Sequence, residues 1–320
     1  MQQKIRAVML EEATLTTGDI STALFDTAAD VVRYPLTKAE DVPLRLKGAE
    51  AAIINKTLFT AQVMDKCPTL RYIGLCATGY NNVDIKAARE RGITVTNVPA
   101  YSTEAVAQHI FSFILYFSDK TAQYDAFVKD GGWQRSPTFS AFPFPTEELW
   151  GKVLGIVGFG RIGQRAAEIA RAFGMKVIAA TRTPKEVPGV EFTDVDSVFE
   201  RSDFISLNCP LTDETDKLAD ARRLSLCKPS AVLINTSRGG VVDEHALAAA
   251  LCDRTIAGAG LDVIEYEPMR ADCELMSAPN CIITPHTSWA AVETRERLVR
   301  VAAGNLLAFV QGTPVNVVER

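Results

Sequence analysis

The sequence predicts an α/β fold made of two parallel-sheet domains, one inserted into the other. Three observations lead there. Short apolar runs alternate with helix-like stretches over the first hundred residues, and a second such alternation runs from about 152 to 283. One long apolar helix precedes the second series and another long helix follows it. Strands separated by helices pair in parallel, because the connecting helix returns the chain to the same edge of the sheet. A length of 320 residues also exceeds one typical domain.

Residues 4–10, 31–34, 51–54, 72–75 and 94–97 read as strands, with helical segments such as 61–66 and 84–91 between them. From 102 to 117 the pattern becomes that of a long apolar helix, with Ser102 or Thr103 as its N-cap. Gly131-Gly132-Trp133 and the Phe- and Pro-rich stretch 136–145 then break the periodicity, so this region reads as a loop or arm. After the second series a last helix spans 290–310, capped by Thr287 or Ser288 and ended by Pro314, and 315–318 can add a strand. That last helix can return to the first domain. The expected division is therefore 1–100 with 290–320 as one domain, and 101–289 as the other.

Composition excludes several classes. A net charge of −5 leaves no electrostatic footprint for nucleic acid or an anionic membrane. No apolar run reaches the roughly 18 residues of a membrane helix. The opening Met1 to Leu10 lacks the apolar region and cleavage site of a signal peptide and reads as a first strand. The seven cysteines are scattered, with no CxxC pair and no Cys/His cluster at zinc spacing. The expectation is a reduced, cytoplasmic protein without disulfides or a metal.

Residues 153–163 read as a buried strand running into Gly158-x-Gly160-x-x-Gly163, followed by a helix over 164–173 and a second strand over 176–180. In that context the three glycines allow a tight turn, close approach of a pyrophosphate and close helix–strand packing. The helix N-terminus supplies free N–H groups to the phosphates. Gly158, Gly160, Arg161, Ile162 and Gly163 are thus expected to bind a dinucleotide, in a Rossmann-like domain. At the end of the second strand, where an NAD site usually carries an acidic residue, the chain reads Thr181-Arg182-Thr183. Those three could accept a 2′-phosphate, which favours NADP(H) over NAD(H).

Three segments of the second series place a charged or titratable side chain after an apolar run: Arg238 in NTSRGG, Glu267 in GLDVIEYEP and His286 in TPH. Ligands of open α/β sheets bind at the carboxyl ends of strands. Of the three histidines, His109 lies within a helix and His245 follows a likely N-cap, Asp243, which leaves His286 at a cleft. Hydride transfer to a carbonyl creates an alkoxide that needs a proton. Histidine suits that task, and a nearby carboxylate such as Glu267 favours its charged form. Arg238 can grip a carboxylate in bidentate fashion or polarise a carbonyl oxygen.

The segments LWGKVLGIVGFGRIG, CPLTDET, INTSRGGVVDE, AGAGLDVIEYEP and TPHTSWA resemble the D-isomer-specific 2-hydroxyacid dehydrogenase family, and its hydroxypyruvate reductase (glycerate dehydrogenase) branch most closely. The likeness covers essentially the whole chain. It implies two Rossmann-like, flavodoxin-like domains, with the cofactor domain inserted into a discontinuous substrate domain. It also implies that Arg238 orients the substrate, that His286 gives and takes the proton, and that Glu267, rather than Glu265, keeps His286 protonated for reduction. Asp262 is expected near the nicotinamide carboxamide, Thr236, Ser237 and Arg238 along the cofactor, Cys209 and Pro210 on the adenosine side, and Val106 against the nicotinamide. Ala77, Thr78 and Gly79 match the loop whose amides hold the substrate carboxylate. Thr181 departs from the Asp of many NAD-using members.

The activity implied is NAD(P)H-dependent reduction of a small 2-oxo acid, hydroxypyruvate to D-glycerate and glyoxylate to glycolate. A broader D-2-hydroxyacid dehydrogenase is the alternative within the class. A dinucleotide-sensing, co-repressor-like binding protein is the alternative outside it. The chain ends soon after its last helix, without the extension of many phosphoglycerate dehydrogenases. A homodimer through the cofactor domain, with the 118–150 arm crossing to the partner, is implied by the likeness alone.

Overall fold

The computed structural model describes residues 4–183 and 186–318. The chain divides into two compact units, Met1–Ser102 with Ala290–Arg320, and Thr103–Trp289.

The first unit is built on five strands: β1 (Ile5–Met9), β2 (Ala29–Arg33), β3 (Ala51–Ile54), β4 (Tyr72–Leu75) and β5 (Thr94–Thr96). They pair in parallel in the order β2-β1-β3-β4-β5, the flavodoxin-like arrangement. The middle strands β3 and β4 are buried along their whole length. Continuous apolar runs such as Ala51-Ala52-Ile53-Ile54 suit a sheet covered on both faces, which is why they do not alternate with polar residues. The Val292–Val310 helix belongs to this unit. Its Phe309 ring lies 4.7 Å from that of Tyr72, and its Asn305 amide donates to the carbonyl of Asn97 at 2.9 Å. Arg295, near the start of the same helix, bonds Asp19 at 2.9 Å.

The second unit holds seven parallel strands: β6 (Val153–Val157), β7 (Lys176–Ala180), β8 (Val190–Phe192), β9 (Phe204–Leu207), β10 (Val232–Asn235), β11 (Gly258–Leu261) and β12 (Cys281–Ile283). Their order is β12-β11-β10-β9-β6-β7-β8. Read from β6, this is the doubly wound 3-2-1-4-5-6 order with one strand more. The direction of winding reverses between β6 and β9, and the ligand crevice of such sheets opens there, beyond the carboxyl ends. The Thr103–Asp119 helix buries Val106, Ile110, Phe113 and Ile114 in a core shared with Leu154, Ile156 and Ile234.

Two local expectations need correction. The last helix starts at Val292, and its N-cap is Ala291, with no side-chain cap bond. Thr287 and Ser288 have the right chemistry for a cap, but their backbone N–H groups are taken by Asp262, so the helix begins later. Residues 315–318 form no strand, only one antiparallel bridge from Val317 to Thr96. The stretch 131–145 is irregular, as expected; ahead of it Lys120 turns left-handed at φ 53°, and a helix not read from the sequence spans Thr121–Lys129. Phe139 and Phe142 beyond it stand 91% and 86% exposed.

Candidate active site

Gly158 leaves β6 with φ +94°, a backbone region in which glycine carries no penalty. A Cβ there would lie 2.6 Å from the Cys209 nitrogen and 2.7 Å from the Asn208 carbonyl carbon. Only glycine lets the end of β6 lie this close to the end of β9. The Arg161–Ala172 helix then starts from Gly160, whose backbone is extended and which makes no side-chain cap bond. A Cβ on Gly160 would meet nothing within 4 Å. Space beside Gly160 is thus open at the start of a 12-residue helix, whose first amides have no partner within the helix, the arrangement that receives phosphates.

Around this turn stand two buried oxygens without a hydrogen-bond partner, Asn208 Oδ1 after β9 and Thr236 Oγ1 after β10. Buried polar atoms are seldom left unpaired, and these two fit a dinucleotide lying across the strand ends. Cys209, 7% exposed, has its thiol pushed up to about 11 by burial, so it stays neutral beside the phosphate turn. The Pro210 carbonyl accepts from Thr215 at 2.6 Å, closing the loop. Thr181 is half-buried after β7, and Arg182 and Thr183 are exposed. The Thr212 hydroxyl holds the Glu214 carboxyl below the usual range, and the Arg182 charge adds to the effect. Among the described residues no group of His, Cys, Asp and Glu could hold a metal ion.

The turn after β10 is shaped by Asn235, which is fully buried. Its side-chain oxygen accepts from Ser237 N and Ser237 Oγ, and its amide donates to the Arg238 carbonyl at 2.9 Å. The Arg238 guanidinium is exposed and donates to the Ser237 carbonyl at 2.6 Å. Gly239 follows, and a Cβ on it would lie 1.9 Å from the carbonyl carbon and oxygen of Ile264. The arginine turn is thus pressed against the loop that leaves β11 and carries Glu267.

Glu267 Oε2 lies 2.7 Å from His286 Nδ1, with the two side chains 35% and 26% exposed. The other carboxylate oxygen accepts from Ile264 N at 3.3 Å. A carboxylate accepts only, so Nδ1 is the donor and Nε2 is the nitrogen left for a substrate. His286 has φ +55°, which costs a non-glycine residue about 1–3 kcal/mol. Asp262, 1% exposed, holds it there. The Asp262 carbonyl accepts from His286 N at 2.8 Å, and its carboxylate accepts from Thr287 N at 2.8 Å, Ser288 N at 2.9 Å and Thr284 Oγ1 at 2.6 Å.

The other histidines differ. His245 is exposed and pairs with Glu274 at 2.9 Å. His109 lies 3.0 Å from Thr284 Oγ1 and stacks edge-on against Phe113. Burial lowers its pKa below the ordinary histidine value, against the opposing pull of Asp262. Val106, one turn earlier on the same helix, is buried. In the first unit, Ala77, Thr78 and Gly79 follow β4, with Thr78 Oγ1 donating to the Val98 carbonyl at 2.8 Å and Val98 N to the Ala77 carbonyl at 2.9 Å.

Sequence reasoning missed Asn208 and Thr284. Asn208 directly precedes Cys209-Pro210 and Thr284 opens the TPH segment, and a polar residue immediately after an apolar strand was the available signal.

A family model described as D-isomer specific 2-hydroxyacid dehydrogenase, NAD binding domain, matches residues 111–288. The chain is 38% identical over 322 residues to a hydroxypyruvate reductase from Blautia hydrogenotrophica, covering 99% of this chain and 100% of that one. It is 44% identical over 265 residues to a glyoxylate reductase from Thermococcus litoralis, covering 81% and 80%. Among solved structures, an NADPH-dependent glyoxylate/hydroxypyruvate reductase from Sinorhizobium meliloti, in complex with NADP and malonate, matches with a TM-score of 0.84 and 31% identity over 99% of this chain and 97% of that one.

Gly239→Ala is expected to force the arginine turn away from Ile264. A displacement of that kind costs on the order of 100-fold in kcat/KM. Steady-state kinetics on the folded variant check it, and an alanine enzyme within a few-fold of the parent refutes the packing argument.

Proposed function

The chain belongs to the D-isomer specific 2-hydroxyacid dehydrogenase family and is an NAD(P)-dependent oxidoreductase, and from that premise we propose that it reduces hydroxypyruvate to D-glycerate and glyoxylate to glycolate, with NADPH preferred. The single observation that carries the chemistry is the 2.7 Å bond between His286 and Glu267 on the loop against which the Arg238 turn is pressed. The substrate assignment is supported by the names of the relatives. The cofactor preference is supported by Thr181-Arg182-Thr183 at the end of β7, where no carboxylate stands to repel a 2′-phosphate.

A nicotinamide dinucleotide, when bound, supplies the hydride to the carbonyl carbon. Gly158 to Gly163 would hold its pyrophosphate, with Asn208, Cys209 and Pro210 on the adenosine side and Thr236, Ser237, Asp262 and Val106 toward the nicotinamide. Arg238 would bind the 2-oxo acid through its carboxylate and carbonyl oxygens, fixing the face that is reduced. As charge develops on the carbonyl oxygen, His286 Nε2 delivers a proton to it. Glu267 stabilises the imidazolium before transfer and keeps the ring oriented through Nδ1. Ala77, Thr78 and Gly79 are proposed for the substrate carboxylate on the family likeness. We also propose a homodimer, since Trp133, Phe139, Phe142 and Trp150 are half to almost fully exposed along 130–150, more aromatic surface than an isolated chain usually shows.

Four measurements test this reading. With a panel of 2-oxo acids, kcat/KM should be highest for hydroxypyruvate and glyoxylate and higher with NADPH than with NADH. Arg182→Ala should erode the NADPH advantage by about 10- to 100-fold, the worth of a charge-assisted hydrogen bond. Pyruvate or an aromatic acid winning by about tenfold, or a strong preference for NADH, overturns the specificity, and no turnover with any acid overturns the reductase. Glu267→Gln removes the carboxylate that holds and stabilises the protonated ring, so kcat for reduction should fall on the order of 100-fold, the low end of an acid–base contribution. An unchanged kcat refutes the pairing. Sedimentation should give twice the mass of one chain, and a single-chain mass at micromolar concentration rejects the dimer.

A further inference from the structure

Beneath the turn that carries His286 runs a chain of hydrogen bonds that the proposed reaction does not itself require. His109 Nε2 lies 3.0 Å from Thr284 Oγ1, and Thr284 Oγ1 donates to Asp262 Oδ1 at 2.6 Å. A hydroxyl has one hydrogen, and here it goes to a carboxylate, which only accepts. His109 must therefore donate to Thr284, with a proton on Nε2. The lowered pKa of this half-buried ring agrees with a neutral imidazole that can supply that donor.

The far end of the chain is Asp262. Its carboxylate takes the backbone N–H groups of Thr287 and Ser288, the two residues after His286, and its carbonyl takes the N–H of His286 itself. The backbone on both sides of a left-handed residue is thus fixed to Asp262, by its carbonyl at His286 N and by its carboxylate beyond. That carboxylate is oriented by Thr284, and Thr284 by His109. A rotation of the Asp262 carboxylate would release Thr287 and Ser288 together and let His286 turn away from Glu267.

We infer that Thr284 and His109 are positioning residues for proton transfer, holding Asp262 in the one orientation that aims the His286 ring. The inference rests on the proposed reading of His286 as the proton donor. Neither residue needs to touch the 2-oxo acid, so their loss should fall on the chemical step and spare substrate binding.

The test is a set of variants assayed for kcat, for both KM values and for melting temperature. Thr284→Val removes the hydroxyl at similar shape. It should lower kcat on the order of 10- to 100-fold, the cost of a misaimed catalytic group, with the KM for the 2-oxo acid within about twofold. Thr284→Ser keeps the donor and should restore kcat to within a few-fold of the parent. Should Thr284→Val not fold, the His109 pair decides: His109→Leu should show the same kcat-only loss, and His109→Gln, which retains a donor near Nε2, should lose less. Unchanged kcat in folded Thr284→Val or His109→Leu overturns the inference, as does a loss confined to KM or one that Thr284→Ser shares. His286→Asn separates the two levels. If it is inactive while Thr284→Val is fully active, positioning fails and the acid–base role stands. If His286→Asn keeps its kcat, the acid–base role falls and the inference with it.

Discussion

A fully ionised carboxylate is costly to bury unless donors meet it from several sides. Asp262 is buried to 1% exposure and is met by one hydroxyl and two backbone amides. That constraint organises the site. All three donors come from the segment after β12, whereas Asp262 itself directly follows β11, so the carboxylate binds two neighbouring strand ends into one unit. The His286 turn then has no freedom to rotate, and Glu267, on the loop leaving β11, meets Nδ1 at 2.7 Å. The arginine turn is added by steric contact, since Gly239 brings it against Ile264. Parallel pairing of β10, β11 and β12 makes this possible. Adjacent strands lie about 4.8 Å apart and end on one edge, so segments distant in sequence become neighbours.

The cofactor edge follows a different principle. Its features are open space and unmet polarity: room beside Gly160 at the start of the Arg161–Ala172 helix, and two buried oxygens, on Asn208 and Thr236, without partners. A fold that leaves such atoms unpaired is less stable than one that pairs them, and a ligand that supplies the missing donors stabilises it on binding. Arg182 is exposed and its charge reaches the Glu214 carboxyl, so a phosphate arriving there would sit within the field of both groups.

The two sheets, the glycine turn and the strand-end placement of Arg238, Glu267 and His286 were legible because each is written in a short window of residues. A buried parallel strand is an apolar run, and a phosphate turn is three glycines between a strand and a helix. What the sequence concealed depends on partners far along the chain. Thr287 and Ser288 carry the chemistry of a helix cap, yet a carboxylate 25 and 26 residues earlier claims their amides. His109 reads as a packed or hydrogen-bonded helical residue, and nothing near it announces Thr284, 175 residues away. Asn208 and Thr284 are neutral and small, and their importance comes from what surrounds them. The Thr121–Lys129 helix was obscured by the left-handed break at Lys120 and by the glycines and prolines beyond it.

The first unit is assembled from both sides of the second, and this sets an order during synthesis. The Val292–Val310 helix, which places Phe309 against Tyr72 and Asn305 on the Asn97 carbonyl, leaves the ribosome only after the whole of Thr103–Trp289. At about 5–20 residues per second, β4 and β5 wait roughly 10–40 s for the helix that completes their packing. The inserted unit has all of its strands by then and can fold first. The face of β4 meant for that helix thus stays uncovered until Val292–Val310 emerges, and is open meanwhile to a chaperone or to another unfinished chain.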